Sequence, residues 1–257
     1  MKGMRLKEIL RITTAVFTLL FMACKDKSDA LLNNPSNTGK GGSMARFVIA
    51  NNTLYTVDKT TIKAYDITDA TNPTLVKSIT LNPNPELETI FYYQNKLFIG
   101  SRIAMYIYDV SNPLNPVHLS TYGHVLSCDP VVVQGDTAYV TLRAGNNCGR
   151  FLSSLEVIDI SNPSNPKLIK SVPMQSPYGL GVRGSILFVC EGENGFKVFD
   201  ITNPSNPVLV KTITGMFGYD VIPLPNLLLL TGSTGLYQYT YTNPNDIQWI
   251  STIPVQP

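Results

Sequence analysis

The sequence predicts an all-β fold, a five-bladed β-propeller with four antiparallel strands in each blade. The first observation is a motif that occurs as D-V-S-N-P-L-N-P (109–116), D-I-S-N-P-S-N-P (159–166) and D-I-T-N-P-S-N-P (200–207), with looser copies at 66–73 and 240–247. The second is the spacing, since successive copies begin 43, 50, 41 and 40 residues apart. The third is that alternating, β-rich runs flank each copy. A repeat of about 40 to 45 residues in a β-rich chain is typical of propeller blades.

Each repeat from residue 45 onward divides into four short strands, a to d. The motif joins strands c and d, because Asn or Asp before Pro favours a turn and Pro cannot donate to a strand ladder. Strand b is almost continuously apolar at 97–99, 187–189 and 227–230, so we expect it to be covered on both faces. The a–b links are predicted to be hairpin turns: Asn51-Asn52, Gln94-Asn95, Gly135-Asp136, Gly184-Ser185 and Pro223 to Asn226.

How the ring closes is less clear from the sequence. The first repeat begins with its own strand a and the last ends with its own strand d. Closure would therefore depend on face-to-face packing of blades one and five. The alternative is an open array, or one completed by further copies, because stacked units with bare terminal faces associate readily.

The N-terminal segment, residues 1–23, is predicted to be a signal peptide. Its basic start is followed by an apolar run at 12–23, which is too short to span a bilayer. Cys24 directly follows Phe21-Met22-Ala23 and resembles the lipobox cysteine of bacterial lipoproteins. This resemblance implies lipidation of Cys24 and a place in the cell envelope, on the outer membrane, facing the periplasm or the surface. A buried cysteine and a signal cleaved elsewhere are the alternatives.

Residues 24–44 are polar and rich in Gly, Ser and Asn, which predicts a flexible tether before the propeller domain at 45–257. The formal net charge of +2 belongs to the signal segment, since the remaining chain carries −1. No basic face is left for nucleic acid. We therefore expect attachment to the membrane through the lipid anchor, and a surface or periplasmic protein or glycan as partner.

The run G-F-K-V-F-D-I-T-N-P-S-N-P-V-L-V (195–210), with Leu187-Phe188-Val189 before it, resembles the LVIVD repeat of bacterial and archaeal secreted proteins. The resemblance extends over about 45–254 and is strongest in repeats two to four. It is weak in repeat five, where Thr240 replaces the Asp. The resemblance implies a β-propeller at the cell surface and no defined catalytic residues.

Two cysteines lie in loops on one face of the third repeat. Cys128 belongs to the d–a loop 122–129, and Cys148 belongs to the b–c loop 143–153, whose extra length explains the 50-residue step. An exported protein reaches an oxidising compartment, so a Cys128–Cys148 disulfide is predicted. Two unpaired thiols are the alternative. A metal site that also used His124 would match no zinc spacing, and no cofactor is expected.

Aligning strand a across the repeats places polar side chains at the entrance to the propeller axis. The candidate ligand-binding residues are Glu88, Asp129, Tyr178, Tyr219 and Asp220. Three carboxylates and two phenols suit a small polar or cationic ligand, with Ca²⁺ as one candidate. The alternative is a solvated rim with ordinary hydrogen bonds.

The aspartates that begin the motif, Asp66, Asp109, Asp159 and Asp200, occur once per blade and are predicted to accept hydrogen bonds from the following turn. No arrangement of nucleophile and base appears in the sequence. The sequence therefore favours a non-enzymatic binding or adhesion module that uses the face carrying the d–a and b–c loops, especially the long loop 143–153. A propeller enzyme of hydrolase or lyase type with an acidic and tyrosine-rich axial site is one alternative, and a structural component of an envelope complex is another.

Overall fold

The computed structural model describes residues 41–83, 85–124, 130–145 and 152–255. They form five sheets, each of four antiparallel strands in sequence order. Blade 1 contains β1 (Phe47–Ala50), β2 (Thr53–Val57), β3 (Thr61–Asp66) and β4 (Thr74–Thr80), and blade 2 contains β5 (Leu87–Tyr93), β6 (Lys96–Ser101), β7 (Ala104–Asp109) and β8 (Val117–Gly123). Blade 3 contains β9 (Val131–Gln134), β10 (Thr137–Leu142), β11 (Ser153–Asp159) and β12 (Lys167–Met174). Blade 4 contains β13 (Leu180–Arg183), β14 (Ile186–Cys190), β15 (Phe196–Asp200) and β16 (Val208–Ile213), and blade 5 contains β17 (Gly218–Leu224), β18 (Leu227–Gly232), β19 (Gly235–Asn243) and β20 (Asp246–Pro254). The predicted five-bladed propeller is confirmed.

The predicted hairpin turns that join strands a and b are present, and they contain residues with a left-handed backbone. Asn51 and Asn52 have φ of 50° and 56°, and Gln94 and Asn95 have 44° and 56°. In blade 3 the turn is entered through Gly135 at φ 59°. Two successive left-handed residues give a turn whose twist matches that of the flanking strands. Asn and Gly tolerate this conformation best, which explains their place in these turns.

The repeated motif forms a turn that is closed by its own side chains. The Asp carboxylate accepts a hydrogen bond from the backbone N–H two residues later, as in Asp109 to Ser111 (2.7 Å) and Asp159 to Ser161 (2.8 Å). The first Asn of the motif repeats this pattern, since Asn162 Oδ1 accepts from the N–H of Ser164 at 3.1 Å. The motif aspartates are therefore structural, as predicted.

These hydrogen bonds make the turns sensitive to acid. Those from the Ser161 hydroxyl and backbone hold the pKa of Asp159 below its usual value. A carboxyl whose pKa is depressed on folding contributes stability above its unfolded pKa of about 3.9, and that contribution is lost as pH falls through the folded value. We expect Asp159→Ala to be less stable than wild type at neutral pH. The difference between their free energies of unfolding, measured with urea, should become smaller as the pH is lowered. A difference that does not change with pH would contradict a stabilising role for the ionised Asp159 carboxylate.

A second function of the turn is to bind the preceding blade. Lys77 Nζ of blade 1 donates to Asn115 Oδ1 in the turn of blade 2 at 3.1 Å, and Ser120 Oγ of blade 2 donates to the Pro163 carbonyl at 2.6 Å. Lys170 and Lys211 continue the series, donating to Asn206 and Asn245 of the next blades. The motif therefore contributes both to the turn within a blade and to the contact between blades.

All five outer strands, d, carry a β-bulge at the same repeat position. The register shifts opposite the c strand so that one residue of strand d has no partner. The unpaired residues are Val76, Leu119, Ile169, Val210 and Ile250. The bulge turns the following residue toward the next blade, and this is the position of the donors Lys77, Ser120, Lys170 and Lys211.

Four buried clusters fill the spaces between consecutive blades, from blades 1 and 2 to blades 4 and 5. Each cluster joins the b and c strands of one blade to the a and b strands of the next. In the three inner blades strand b is covered on both sides, and every residue of β10 and β14 is buried. Burial of apolar surface between sheets is thus the main source of stability.

The end blades differ from this pattern. Strands β2 and β18 alternate between buried and partly exposed residues, and Leu227 and Leu229 are only partly buried. The prediction that 227–230 is covered on both faces is therefore wrong for one face. The physical reason is that, among the described residues, blades 5 and 1 share no buried cluster and β17 does not run beside β1. The propeller has four packed interfaces and a fifth that is not packed.

Candidate functional site

The b–c and d–a loops open on one face of the propeller, which we call the mouth face. A cavity of about 210 Å³ lies on it and receives two residues from each of four blades. This mouth cavity is lined by Met44 and Arg46 of blade 1, Glu88 and Thr89 of blade 2, Pro130 and Arg143 of blade 3, and Pro177 and Tyr178 of blade 4. A group seated here would contact several blades at once.

An aromatic cluster forms one wall of the mouth cavity. The Arg143 guanidinium lies 3.9 Å from the centre of the Tyr178 ring, the geometry of a cation–π contact. Tyr178 in turn packs edge-on against Phe217 and Tyr219, with ring centres 5.4 and 5.9 Å apart. The predicted residues Tyr178 and Tyr219 are thus brought together. The stack places the Arg143 guanidinium in the lining of the cavity.

The charge at the mouth cavity is more positive than the sequence predicted. Glu88 is accompanied by Arg46 and Arg143 in the lining. Arg102, outside this lining, forms a 2.6 Å ion pair with Glu86, which raises the pKa of Arg102, and the charge of Glu88 raises it more weakly. Such a surface suits acidic or hydrogen-bonding groups on a ligand better than an isolated cation.

Asp220 also lies at the mouth face, where it holds the segment before β1. Its carboxylate accepts hydrogen bonds from Ser43 Oγ (2.9 Å), from the Met44 N–H (3.1 Å) and from the Val221 N–H (2.9 Å). Ser43 is 1% exposed, and its Oγ also accepts from the Leu180 N–H at 2.7 Å. Residues 42–44 therefore pack on the propeller although they belong to the predicted tether, 24–44.

Two glycines allow this close approach to Asp220. A Cβ on Gly42 would lie 1.9 Å from one carboxylate oxygen, and a Cβ on Gly179 would lie 2.1 Å from the other. Burial raises the pKa of Asp220, against the hydrogen bonds from Met44, Val221 and Ser43, which lower it. The Asp220 carboxylate is therefore committed to contacts within the chain.

A second cavity, of about 290 Å³, follows the propeller axis between the inner strands. Its wall is mainly apolar, with Ile90, Val132, Leu180 and Val221 contributed by four different blades. Gly41 to Ser43 line it at the end near Asp220. The segment before β1 thus reaches from the axis to the mouth face.

Several predicted residues lie outside the described residues. These are Asp129 of the candidate ligand set, the lipidation site Cys24, and both cysteines of the predicted disulfide, Cys128 and Cys148. Among the residues that the structure describes, no group of three His, Cys, Asp or Glu side chains could hold a metal ion. Cys190 is a buried free thiol whose pKa is raised well above its usual value by burial.

The candidate set omitted three residues that the structure places in contact with Tyr178 or Asp220, namely Arg143, Phe217 and Ser43. Arg143 had a usable signal, since it begins the one b–c loop that is longer than the others. Phe217 lies two residues before Tyr219, on the same side of the approach to the mouth. Ser43 had no signal, because it lies in a polar, glycine-rich stretch without periodicity.

Comparison with known proteins agrees with the propeller fold. The LVIVD repeat model matches residues 127–173 and 179–214, which contain most of blades 3 and 4. No curated protein matches the chain significantly. In the described ranges there is no helix that is long and apolar enough to cross a membrane.

The solved structures that share the fold at low sequence identity include the following three. A protein from Lactobacillus plantarum is 15% identical with a TM-score of 0.64, covering 79% of this chain and 69% of that one. The periplasmic gluconolactonase PpgL of Pseudomonas aeruginosa is 11% identical with a TM-score of 0.63, covering 80% of this chain and 68% of its own. Apo AztD from Citrobacter koseri is 14% identical with a TM-score of 0.58, covering 81% of this chain and 61% of AztD. The chain therefore spans less than two thirds of AztD's length. These likenesses concern the fold, and the chain is accordingly a five-bladed β-propeller that contains LVIVD repeats.

Proposed function

We propose that the protein is an exported, membrane-tethered binding module that acts without catalysis and uses its mouth face to hold a partner in the cell envelope. The observation that carries the proposal is the mouth cavity, which gathers side chains from four blades around the Arg143–Tyr178 stack. Loops on a rigid scaffold are the usual place for binding residues. The scaffold here is a propeller with four packed interfaces between blades.

The chemistry of the cavity indicates the class of partner. Arg143 and Arg46 offer forked donors, Thr89 offers a hydroxyl, and Tyr178 offers an aromatic face. Guanidinium groups recognise carboxylates with two parallel hydrogen bonds, and aromatic rings bind the apolar faces of sugars and side chains. We infer an acidic glycan or an acidic peptide segment as the contacting group, with Glu88 limiting the orientations in which it binds.

Several observations favour binding over catalysis. The Asp220 carboxylate accepts three hydrogen bonds from the chain itself. Glu88 shares the lining of the cavity with Arg46 and Arg143, whose guanidinium groups attract carboxylates. The low identity to the gluconolactonase PpgL carries no activity across to this chain.

The mouth face is tested with immobilised acidic glycans and acidic peptides. We expect wild type to bind members of one of these classes, and Arg143→Glu and Tyr178→Ala to weaken binding at least about tenfold, the effect of losing one charge-assisted contact. Arg183→Glu is the matched control, because Arg183 ends β13 at the opposite face. Equal binding by all four proteins would contradict the proposal. Turnover of a lactone or ester substrate that is lost in Glu88→Gln would favour an enzyme.

Attachment to the membrane is tested separately with a variant of Cys24. Cys24→Ala should move the protein from the membrane fraction to the soluble fraction while its binding to the same glycan or peptide stays unchanged. Retention of Cys24→Ala in membranes, with no acyl label on wild type, would exclude the lipid anchor and leave the mouth-face result intact.

A further inference from the structure

The cavity of about 290 Å³ along the propeller axis, which we call the axial cavity, is lined by residues from all five blades. The described residues in this lining include no Asp, Glu, Lys, Arg or His. The mouth cavity, by contrast, contains Arg46, Glu88 and Arg143. An ionised group that entered the axial cavity would lose its hydration without gaining a charged partner, which is strongly unfavourable. The axial cavity therefore selects uncharged molecules.

Phe47 leaves an aromatic surface uncovered in the axial cavity. It belongs to the inner strand β1, lines the cavity and is 58% exposed. The pairing of strand a with strand b identifies the same position in the other four blades, where no residue is more than 2% exposed: Ile90, Val131, Leu180 and Val221. A large apolar side chain that stays exposed in a concave site indicates a place for an apolar ligand.

Polar side chains in the lining already have partners within the chain. Ser43, at the mouth end, makes the two hydrogen bonds described above. At the opposite end the Tyr93 hydroxyl accepts from the Gly135 N–H at 2.9 Å, and Gln134 Nε2 donates to the Gly184 carbonyl at 2.6 Å. A buried water needs about two to four polar partners. Water against this wall is therefore weakly held, and an apolar group that displaces it gains affinity.

The volume of the axial cavity limits the size of the ligand. An apolar cavity of about 150 Å³ is enough to hold benzene, and the axial cavity has about 290 Å³. It therefore has room for two fused aromatic rings or for an alkyl chain of similar volume. The amides of Gln94 and Gln134 lie at the end away from the mouth face, beside the a–b turns. An amide can hydrogen-bond to a hydroxyl or a carbonyl group of the ligand.

The segment 41–46 forms a wall that the two cavities share. Gly41 to Ser43 and Ala45 line the axial cavity, and Met44 and Arg46 line the mouth cavity. The two cavities are therefore separate sites with different chemistry. A ligand in the axial cavity leaves the arginines of the mouth face available to an acidic partner.

We propose that the axial cavity binds a small, uncharged, mainly apolar molecule that carries one hydroxyl or carbonyl group. Its apolar part lies against Phe47, and its polar group lies at Gln94 and Gln134. This site goes beyond the binding of an acidic partner at the mouth face and does not depend on it.

A matched pair of small molecules tests the selection against charge. Naphthalene-2-methanol has two fused rings and an uncharged hydroxyl, and naphthalene-2-carboxylate has the same rings with a negative charge. We expect the alcohol to bind saturably, measured by the anisotropy of its own fluorescence. The carboxylate should displace it at least about tenfold less effectively than unlabelled 1-octanol, because burial of an unpaired charge is costly. Absence of saturable binding, or equal displacement by the two competitors, would overturn the proposal.

Two glutamate variants locate the bound alcohol. Phe47→Glu and Trp249→Glu both replace an exposed aromatic side chain, 58% and 63% exposed, but Trp249 lies on the outer strand β20. Phe47→Glu should weaken binding at least about tenfold, because it places a charge in the cavity. Phe47→Leu, which keeps an apolar side chain, should weaken it less, and Trp249→Glu should bind like wild type. Circular dichroism checks that each variant is folded.

The same variants define the results that would contradict the site. Unchanged binding by folded Phe47→Glu would overturn the proposal. Loss of binding in Trp249→Glu would also overturn it, because the alcohol would then lie on the outer strands. If Phe47→Glu does not fold, the displacement experiment on wild type decides.

Discussion

Leu187→Ala is expected to lower the free energy of unfolding by about 2 to 5 kcal/mol, the range for a leucine removed from a well-packed core. Leu187 is 0% exposed and packs in the cluster between blades 3 and 4 with Tyr139 and Val157. The substitution removes apolar contacts and leaves a cavity that neighbouring strands cannot fill. Urea unfolding followed by tyrosine fluorescence measures the loss.

The chain contains its own control for this experiment. Leu54 occupies the same position of strand b in blade 1, but lies on the side that faces away from blade 2 and is only partly buried. Leu54→Ala removes the same atoms and is expected to cost about 1 kcal/mol or less. Equal losses for the two substitutions would show that blades 5 and 1 pack together in solution.

Asp220→Ala is expected to lower the free energy of unfolding by about 1 to 3 kcal/mol, the effect of leaving buried donors without an acceptor. The donors are the Ser43 hydroxyl and the Met44 N–H, both bonded to the carboxylate. Loss of the carboxylate should also release the segment before β1. Hydrogen exchange at the Met44 amide should therefore accelerate, while exchange in β10 and β14 follows the change in global stability.

Ser43→Ala tests whether Ser43 and Asp220 stabilise the fold as one hydrogen-bond network. It removes the hydroxyl that links Asp220 to the Leu180 N–H but leaves the carboxylate bonded to the Met44 N–H. The double variant Ser43→Ala, Asp220→Ala should lose less than the two single variants together, with a coupling of about 0.5 to 3 kcal/mol for residues in one network. Additive losses would mean that Asp220 acts on another part of the mouth face.

Local chemistry explains why the blades could be predicted from the sequence. The Asn and Gly turns, the Asn-Pro motif and the apolar b strands each specify structure within a few residues. The five strand bulges and the lysine contacts between blades depend on pairing across the sheet, and the sequence did not reveal them. Whether Leu229 is covered depends on a neighbouring blade and not on its own segment. For that reason a run of four leucines predicted two covered faces where only one exists.

The candidate site was predicted less completely for a related reason. Strand alignment correctly placed Tyr178, Tyr219 and Asp220 on one face, because the repeat fixes where strand a begins. It did not assign Asp220 to a partner 177 residues away in the chain, in a segment with no pattern of its own. The long loop that begins at Arg143 was expected to bind, but the contact of Arg143 with the Tyr178 ring was not predicted. Long-range contacts of this kind leave no local signal.

The bulge shared by the five outer strands has a consequence for contacts at the rim of the propeller. An edge strand with a regular row of free backbone groups invites an incoming strand to extend the sheet, but a bulge breaks that row and twists the edge away. At the rim the bulges leave apolar side chains exposed instead, including Val76, Ile169 and Ile250. An envelope component that held the propeller by its edges would therefore have to recognise side-chain shape, because the backbone cannot accept it as a continuous additional strand.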